Sequence, residues 1–390
     1  MRIGIDYTAA ARQGGGIGRY TRELVTALLR LVGQDAVRSD RSPLSHRYTL
    51  FAAVGRLKTR DWRLEIESLQ SLPSDFKFRA IPITDDWLHR LWQRLRLPIP
   101  VEAITGPLDI FYSPDFVLPP TLHATRTLLT VHDLSFLHFP DAFVPSLRRY
   151  LERVVPRSVA RADRVLADSE STRNDLITHF GASSEKVQVL YSGVGARFRP
   201  DVEPEEKTRL KARYGLGDQP YVLSVGTLQP RKNYVRLIRA FADLPLADLQ
   251  LAIAGGRGWL YEDIFAEAEK HGGRVRVLGF VDDADLPALF RNAVLFAFPS
   301  LYEGFGLPVL EAMACGVPVV CSNASSLPEV AGDAALMVDP LDTDGLAEAM
   351  VRTLEDADLR REMIDRGLTQ TARFTWEGAA RQLLDVFDAL

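Results

Sequence analysis

Glu303 and Glu311 stand with seven residues between them, in "EGFGLPVLE". Carboxylates accept hydrogen bonds from hydroxyls, so two on one short turn suit a ligand rich in diols. Gly304, Phe305 and Gly306 lie in the interval, and glycines there let backbone N–H groups approach a ligand closely. Leu307 opens a helical run, whose N-terminal dipole faces an anion at the same place. The plainer readings are dipole compensation for Glu311 and a solvated loop acid for Glu303. Neither explains why both acids flank glycines directly after the apolar "NAVLFAFPS".

Arg231 and Lys232 follow "YVLSVGT", an apolar run that ends at Gly226 and Thr227. Cations there lower a barrier that builds negative charge on a departing diphosphate. A solvated basic pair is the commoner fate of Arg-Lys, but the position after the apolar run favours function. His132 follows "RTLLTV" and offers an imidazole as donor or acceptor. The sequence gives it no obvious acidic partner for base chemistry beyond the adjoining Asp133, and a loop histidine bonded to backbone is the alternative. In "RQGGGIGRY", Gly14 and Gly16 meet the first two positions of a dinucleotide fingerprint, but Arg19 occupies the third. That disfavours a nicotinamide enzyme, and no P-loop is present. Gly15 and Gly16 are equally suited to approach a phosphate or sugar and to form a tight turn before a helix.

These groups need strand tips and helix starts to hold them. Strands are expected at 2–6, 47–51, 76–81, 164–167 and 186–190, with two more apolar runs between 109 and 133. In the second half they are expected at 221–225, 249–254, 275–278, 294–297 and 317–320. Helical spacing runs through 16–31, 234–242, 261–271, 285–291 and 307–314. Strand and helix alternating this way predict parallel sheets covered on both faces. The fold expected is α/β, two doubly wound Rossmann-like domains. Proline, glycine and charge cluster between Gly193 and Pro220, which sets the expected division at 1–198 and 199–372. Residues 373–390 form a final amphipathic helix, with Trp376, Ala380, Leu383 and Phe387 at helical spacing.

At 390 residues the chain is too long for one ordinary core. A net charge of −4 gives no reason to expect nucleic acid. Two cysteines, Cys315 and Cys321, cannot build a disulfide framework, and the N-terminus lacks the apolar stretch of a signal peptide. A cytoplasmic location is expected. No metal and no cofactor is called for. H-E-x-x-H and cysteine-histidine ligand sets are missing, and the D-x-D matches at 283–285, 342–344 and 356–358 fall in loops or helix ends.

Taken together and in order, these motifs resemble the retaining glycosyltransferases of the GT-B fold in glycosyltransferase family 4. The match extends through "GGGIGRY", "TVHD", "ADSESTRNDL", "VGTLQPRKN", "LGF", the paired glutamates and "SLPEVAGDAAL", and is closest to bacterial polysaccharide mannosyltransferases. The resemblance implies two domains facing across a cleft, a nucleotide-sugar donor on the second, and a saccharide or lipid-linked acceptor mostly on the first. It implies that the last helix crosses back to the first domain. Glu303 would bind donor-sugar hydroxyls with help from the Phe305 and Gly306 N–H groups, Glu311 the ribose diol, and Lys232 the pyrophosphate. Phe280 and Val281 would lie near the base, Gly15 and Gly16 near the diphosphate or sugar, and His132 near the transferred sugar. One position departs from the pattern: Thr227 follows Gly226 where many relatives carry arginine, leaving Arg231 or the Thr227 hydroxyl to take its place. Mannose from GDP-mannose is the expected donor, with UDP-glucose as competitor. A glucan phosphorylase or synthase, a non-catalytic nucleotide-sugar binder and a redox enzyme are the other readings. Chain length, the intact set of Glu303, Glu311, Lys232 and His132, and the broken fingerprint disfavour them in turn.

The segment "DDWLHRLWQRLRLPIP" places Trp87, Leu91 and Leu95 on one helical face, with Leu88 and Trp92 beside them and arginines at the edge. Between Trp87 and Pro100 it is expected either to lie on an anionic membrane or to pack its leucines inward.

Overall fold

The computed structural model describes residues 1–38, 46–55, 66–84 apart from 68 and 72–75, 87–95 apart from 89, and 97–390 apart from 217. The chain divides into two compact units. Unit 1 comprises Met1–Leu134, Tyr150–Gly193 and Trp376–Leu390, and unit 2 comprises Ser135–Arg149 and Val194–Thr375.

Among the described residues, unit 1 carries seven parallel strands: β1 (Arg2–Asp6), β2 (Arg47–Ala53), β3 (Phe76–Ile81), β4 (Ile110–Ser113), β5 (Arg126–Val131), β6 (Arg164–Ala167) and β7 (Val187–Val189). Their order is β3-β2-β1-β4-β5-β6-β7. Unit 2 carries six: β8 (Tyr221–Val225), β9 (Gln250–Ala254), β10 (Val275–Gly279), β11 (Leu295–Phe298), β12 (Val319–Ser322) and β13 (Ala335–Val338). Their order is β10-β9-β8-β11-β12-β13. The central strands β4, β11 and β12 are buried at every position, as parallel strands covered on both faces must be. In each sheet the order reverses once, between β1 and β4 and between β8 and β11. A doubly wound sheet opens a crevice beyond the strand ends at such a reversal.

The final helix, Trp376–Asp388, belongs to unit 1, where its buried face packs on the helix Gly16–Arg38. Tyr20 meets Trp376 edge-on at 5.9 Å, and Tyr112 meets Phe387 at 6.1 Å.

Two features differ from the sequence expectation. Ser135–Arg149 goes with unit 2 instead of staying in a contiguous first domain. Side chains far along the chain capture it: His138 stacks on Tyr302 at 4.8 Å, and the Trp259 indole N–H donates to the Ala142 carbonyl at 2.7 Å. Of the amphipathic helix expected within 85–100, residues 85, 86, 89 and 96 lie outside the described residues, and the rest is helical only in part. Residues 90–94 form one π-helical turn, closed by the Leu95 N–H on the Arg90 carbonyl at 2.8 Å, and residues 97–100 are not helical. Pro98 and Pro100 cannot continue one. Leu88 and Trp92 are the inward pair, while Trp87 and Leu95 are exposed beside Arg90 and Arg94. Among the described residues no helix is long and apolar enough to cross a membrane.

Candidate active site

The reversal between β8 and β11 in unit 2 gathers the acid and the cations. β8 ends at Val225, and the chain turns through Gly226 into a 3-10 turn at Pro230–Lys232. β11 ends at Phe298, and Glu303 stands in the loop beyond it. Lys232 Nζ reaches Glu303 Oε1 at 2.6 Å, and an Arg231 guanidinium nitrogen reaches Oε2 at 3.0 Å. All three side chains are about nine-tenths buried. Burial works against a charged Glu303, but Arg231 and then Lys232 outweigh it and hold the carboxyl down at about 2. Glu303 is therefore a carboxylate throughout the neutral range.

Backbone contacts fix this loop. Arg231 also donates to the Tyr302 carbonyl, and its own carbonyl accepts from the Leu301 N–H at 2.9 Å. The Glu303 N–H donates to Ser325 Oγ at 2.8 Å, and Ser326 Oγ donates to the Glu303 and Phe305 carbonyls at 3.0 and 2.7 Å. Asn233, at φ 61°, spans the strand tips by donating to the Pro299 and Pro340 carbonyls at 2.9 and 2.7 Å. Lys232 Nζ lies 5.0 Å from the Phe298 ring centroid, a cation–π contact in a dry setting.

The helix Leu307–Ala314 opens directly after this loop, with Gly306 at φ 117° as its cap. A Cβ on Gly306 would lie 2.7 Å from a Leu327 methyl, so both backbone angle and space require glycine. Glu311 is buried one turn into the helix. Gly226 also has positive φ, and a Cβ there would sit 3.2 Å from Lys232 Cε. The structure thus brings Gly226, Thr227, Arg231, Lys232, Glu303 and the Gly304–Leu307 turn to one reversal, with Glu311 in the helix that follows. Phe280 and Val281 follow β10, two strands from β8 and so roughly 10 Å to the side. Phe280 is 64% exposed, whereas Val281 is buried.

Unit 1 holds the other candidates. Gly15 and Gly16 are exposed, and a Cβ on either would meet nothing within 4 Å, so packing does not demand them. The glycine that the turn needs is Gly18, where a Cβ would fall 2.2 Å from the Gln13 carbonyl oxygen. His132 stands just past β5. Its Nδ1 faces Asp168 Oδ2 at 2.7 Å and its Nε2 faces the Pro114 carbonyl at 3.1 Å. A carboxylate and a carbonyl only accept, so both ring nitrogens carry protons and the ring is an imidazolium. Burial pulls its pKa down, but Asp168 overrides this and lifts it to about 9. The acidic partner is thus Asp168, not the adjoining Asp133. Asp168, at the β6 tip inside "ADSESTRNDL", was open to the same strand-tip reasoning that found His132. Tyr302, Asn233, Ser325 and Ser326 carry no such signal, since their parts are backbone contacts. Asp285, from one of the D-x-D matches, is tied to Arg209, Arg213 and Tyr214 and is structural.

Two doubly wound units, one of them gathering buried acids and cations at its strand reversal, define the GT-B class of glycosyltransferase. The model for glycosyl transferases group 1 matches residues 206–370, and that for Glycosyltransferase Family 4 matches residues 14–197. The chain is 37% identical over 287 residues to the O-antigen chain mannosyltransferase B of Escherichia coli, covering 72% of this chain and 74% of that one. It is 36% identical over 278 residues to the serotype-specific mannosyltransferase WbdA of Escherichia coli, covering 68% of this chain but 34% of that longer one. Among solved structures it is similar to the sucrose-phosphate synthase of Thermosynechococcus elongatus, with a TM-score of 0.74, 20% identity, and coverage of 100% and 98%. The chain belongs to the family 4, group 1 glycosyltransferases. It is a nucleotide-sugar-dependent enzyme acting on a saccharide acceptor.

Proposed function

We propose that the chain transfers mannose from GDP-mannose, with retention at the anomeric carbon, to a lipid-linked saccharide in polysaccharide assembly. The observation that carries this reading is the Glu303 carboxylate fixed between Arg231 and Lys232 at the β8/β11 reversal. Its support for mannose is the identity to two chains named as mannosyltransferases. Glu303 binds donor-sugar hydroxyls, Lys232 and Arg231 neutralise the diphosphate, and Glu311 takes the ribose diol. The exposed Phe280 ring, with Val281, serves the base. Gly15 and Gly16 approach the diphosphate or sugar. His132 serves the transferred sugar as a hydrogen-bond donor, since an imidazolium is no base. The acceptor oxygen attacks on the face from which the diphosphate departs, and a diphosphate oxygen takes the acceptor proton. No protein nucleophile is needed, unlike a retaining hydrolase.

Thermal shift against GDP-mannose, UDP-glucose and ADP-glucose tests the donor, and NMR of the product's anomeric proton tests retention. A selective response to UDP-glucose would replace the GDP-mannose assignment. Donor binding without transfer to any acceptor would reject the catalytic reading.

A cytoplasmic, peripheral placement on an anionic membrane is part of this proposal. Trp87, Leu95 and Ile99 are 55%, 61% and 45% exposed, with Arg90 and Arg94 among them. Apolar side chains interleaved with cations suit such a surface. Sedimentation with vesicles with and without phosphatidylglycerol decides it, and equal recovery in both supernatants would remove it.

A further inference from the structure

The residue before Glu303 is held in a way that the transfer chemistry does not by itself use. The Tyr302–Glu303 peptide is a rigid plane, and both of its polar ends are bonded. Its carbonyl accepts from Arg231, and its N–H donates to Ser325 Oγ at 2.8 Å. Those two bonds fix the peptide plane and leave rotation at the Tyr302 Cα to be fixed by the ring. The Tyr302 ring is buried, and the imidazole of His138 lies flat on it, with centroids 4.8 Å apart and planes 19° from parallel. Phe139 meets the same ring at 6.4 Å and 60°. His138 itself is exposed, so it covers Tyr302 from the solvent side.

His138 comes from the Ser135–Arg149 segment, and one ring stack contributes less than ordering a few residues of backbone costs. A second anchor supports it. The Trp259 indole N–H donates to the Ala142 carbonyl at 2.7 Å, and the Phe143 ring lies 5.5 Å from the Trp259 ring. Trp259 belongs to the loop after β9, which is tied to the tip of β8. The Leu228 N–H donates to the Gly256 carbonyl at 2.9 Å, and the Gly258 N–H donates to the Leu228 carbonyl at 3.1 Å. A Cβ on Gly258 would lie 2.7 Å from the Thr227 methyl, so the two loops touch backbone to side chain. Leu260, next to Trp259, holds φ 53°, a left-handed conformation that bulky residues rarely adopt. Such strain persists where the surroundings over-determine a residue, and it gathers at functional sites. The contacts close on themselves. They run from Ala142 to Trp259, to Leu228, three residues on to Arg231, across to the Tyr302 carbonyl, and from the Tyr302 ring back to His138. Lys232 and Glu303 are the next residues after two members of that circuit.

We propose that His138 is a positioning residue for Glu303. By capping the Tyr302 ring, with Trp259 holding the segment that carries it, His138 sets the direction in which the Glu303 carboxylate is presented to the donor sugar. The proposal rests on the role given to Glu303 above and adds two residues that act through Tyr302. A small rotation at the Tyr302 Cα moves the carboxylate relative to the hydroxyls it serves, and misplacement of that kind lowers rate more than affinity.

The test compares the full chain with His138→Ala, Glu303→Gln and the double variant. GDP-mannose is the donor and octyl α-mannobioside the acceptor, with UDP-glucose in its place if only that donor turns over. Release of nucleoside diphosphate is the readout, so transfer to water counts as well. His138→Ala should lower kcat about tenfold. The calorimetric Kd for the free nucleoside diphosphate should stay where it is, because that ligand offers Glu303 no sugar. In the Glu303→Gln background the same change should cost less than about twofold, since the carboxylate it positions is gone. His138→Phe keeps a flat ring and should restore kcat, whereas His138→Leu should not. Trp259→Phe, which loses the indole donor, should lower kcat by a smaller factor. His138→Leu replaces His138→Ala if circular dichroism finds the alanine variant misfolded. Wild-type kcat in the folded variant, the same loss in both backgrounds, or an equal loss of nucleoside diphosphate affinity overturns the positioning role and leaves that of Glu303 standing. Wild-type kcat in Glu303→Gln rejects the role given to Glu303 itself, and the positioning role with it.

Discussion

Replacing Asp168 by asparagine should remove the charge from His132 at neutral pH. With Asp168 present, the imidazole is held near 9 against an ordinary value of about 6.5. That gap alone corresponds to about 3 kcal/mol of folding free energy, part of which is offset because burial raises the Asp168 carboxyl. The sign follows from which state holds the proton more tightly. The folded protein does, so the stabilisation is complete below about pH 6.5 and is lost as pH rises through 9. In Asp168→Asn the carboxylate is gone while burial still penalises the cation, so the ring should titrate below 6.5. The variant should lose up to about 3 kcal/mol at pH 6 and much less at pH 10, where the wild type has already lost this contribution. Selective ¹⁵N-histidine labelling reads the ring's protonation directly, and urea unfolding at pH 6 and 10 reads the energy. A wild-type His132 that titrates at or below 6.5, or a variant with the same pH slope of stability as the wild type, would refute the imidazolium assignment.

Glu303→Gln should lower kcat about a hundredfold, the scale seen when one transition-state contact is removed, and far-UV circular dichroism should remain native. Lys232→Ala should reduce kcat more than donor affinity, because departing diphosphate charge is greatest in the transition state; calorimetric Kd and kcat measured separately check it. Gly306→Ala should lower Tm through a loss of about 1–3 kcal/mol, since a Cβ there meets Leu327 at 2.7 Å with φ at 117°. The pH–rate profile should show no acid limb from Glu303 above about pH 3. Its depressed carboxyl stabilises the fold above the ordinary carboxylate range and loses that effect only as pH falls through about 2.

The sequence by itself determined the strands, and through them the candidate site. Among the described residues, twelve of the thirteen strands fall on the runs that read as strands in the sequence; β13 is apolar as well but only half-buried along its length, and it is not among the strands expected from the sequence. Apolar patterning is local, and it records whether a strand is covered on two faces. Polar residues at the ends of those runs then named Glu303, Lys232, Arg231 and His132. Tertiary structure alone decided the order of strands, and with it where each sheet reverses and which tips share a crevice. It also chose the partners. Asp168 lies 36 residues from His132, and Ser135–Arg149 joins unit 2 through contacts with Tyr302 and Trp259. It shifted the structural demand for glycine from Gly15 and Gly16 to Gly18, because only the folded turn brings the Gln13 carbonyl against that position. Spacing along the chain encodes which face of an element is buried. It does not encode which distant element covers that face, and the charge states of Glu303 and His132 depend on that covering.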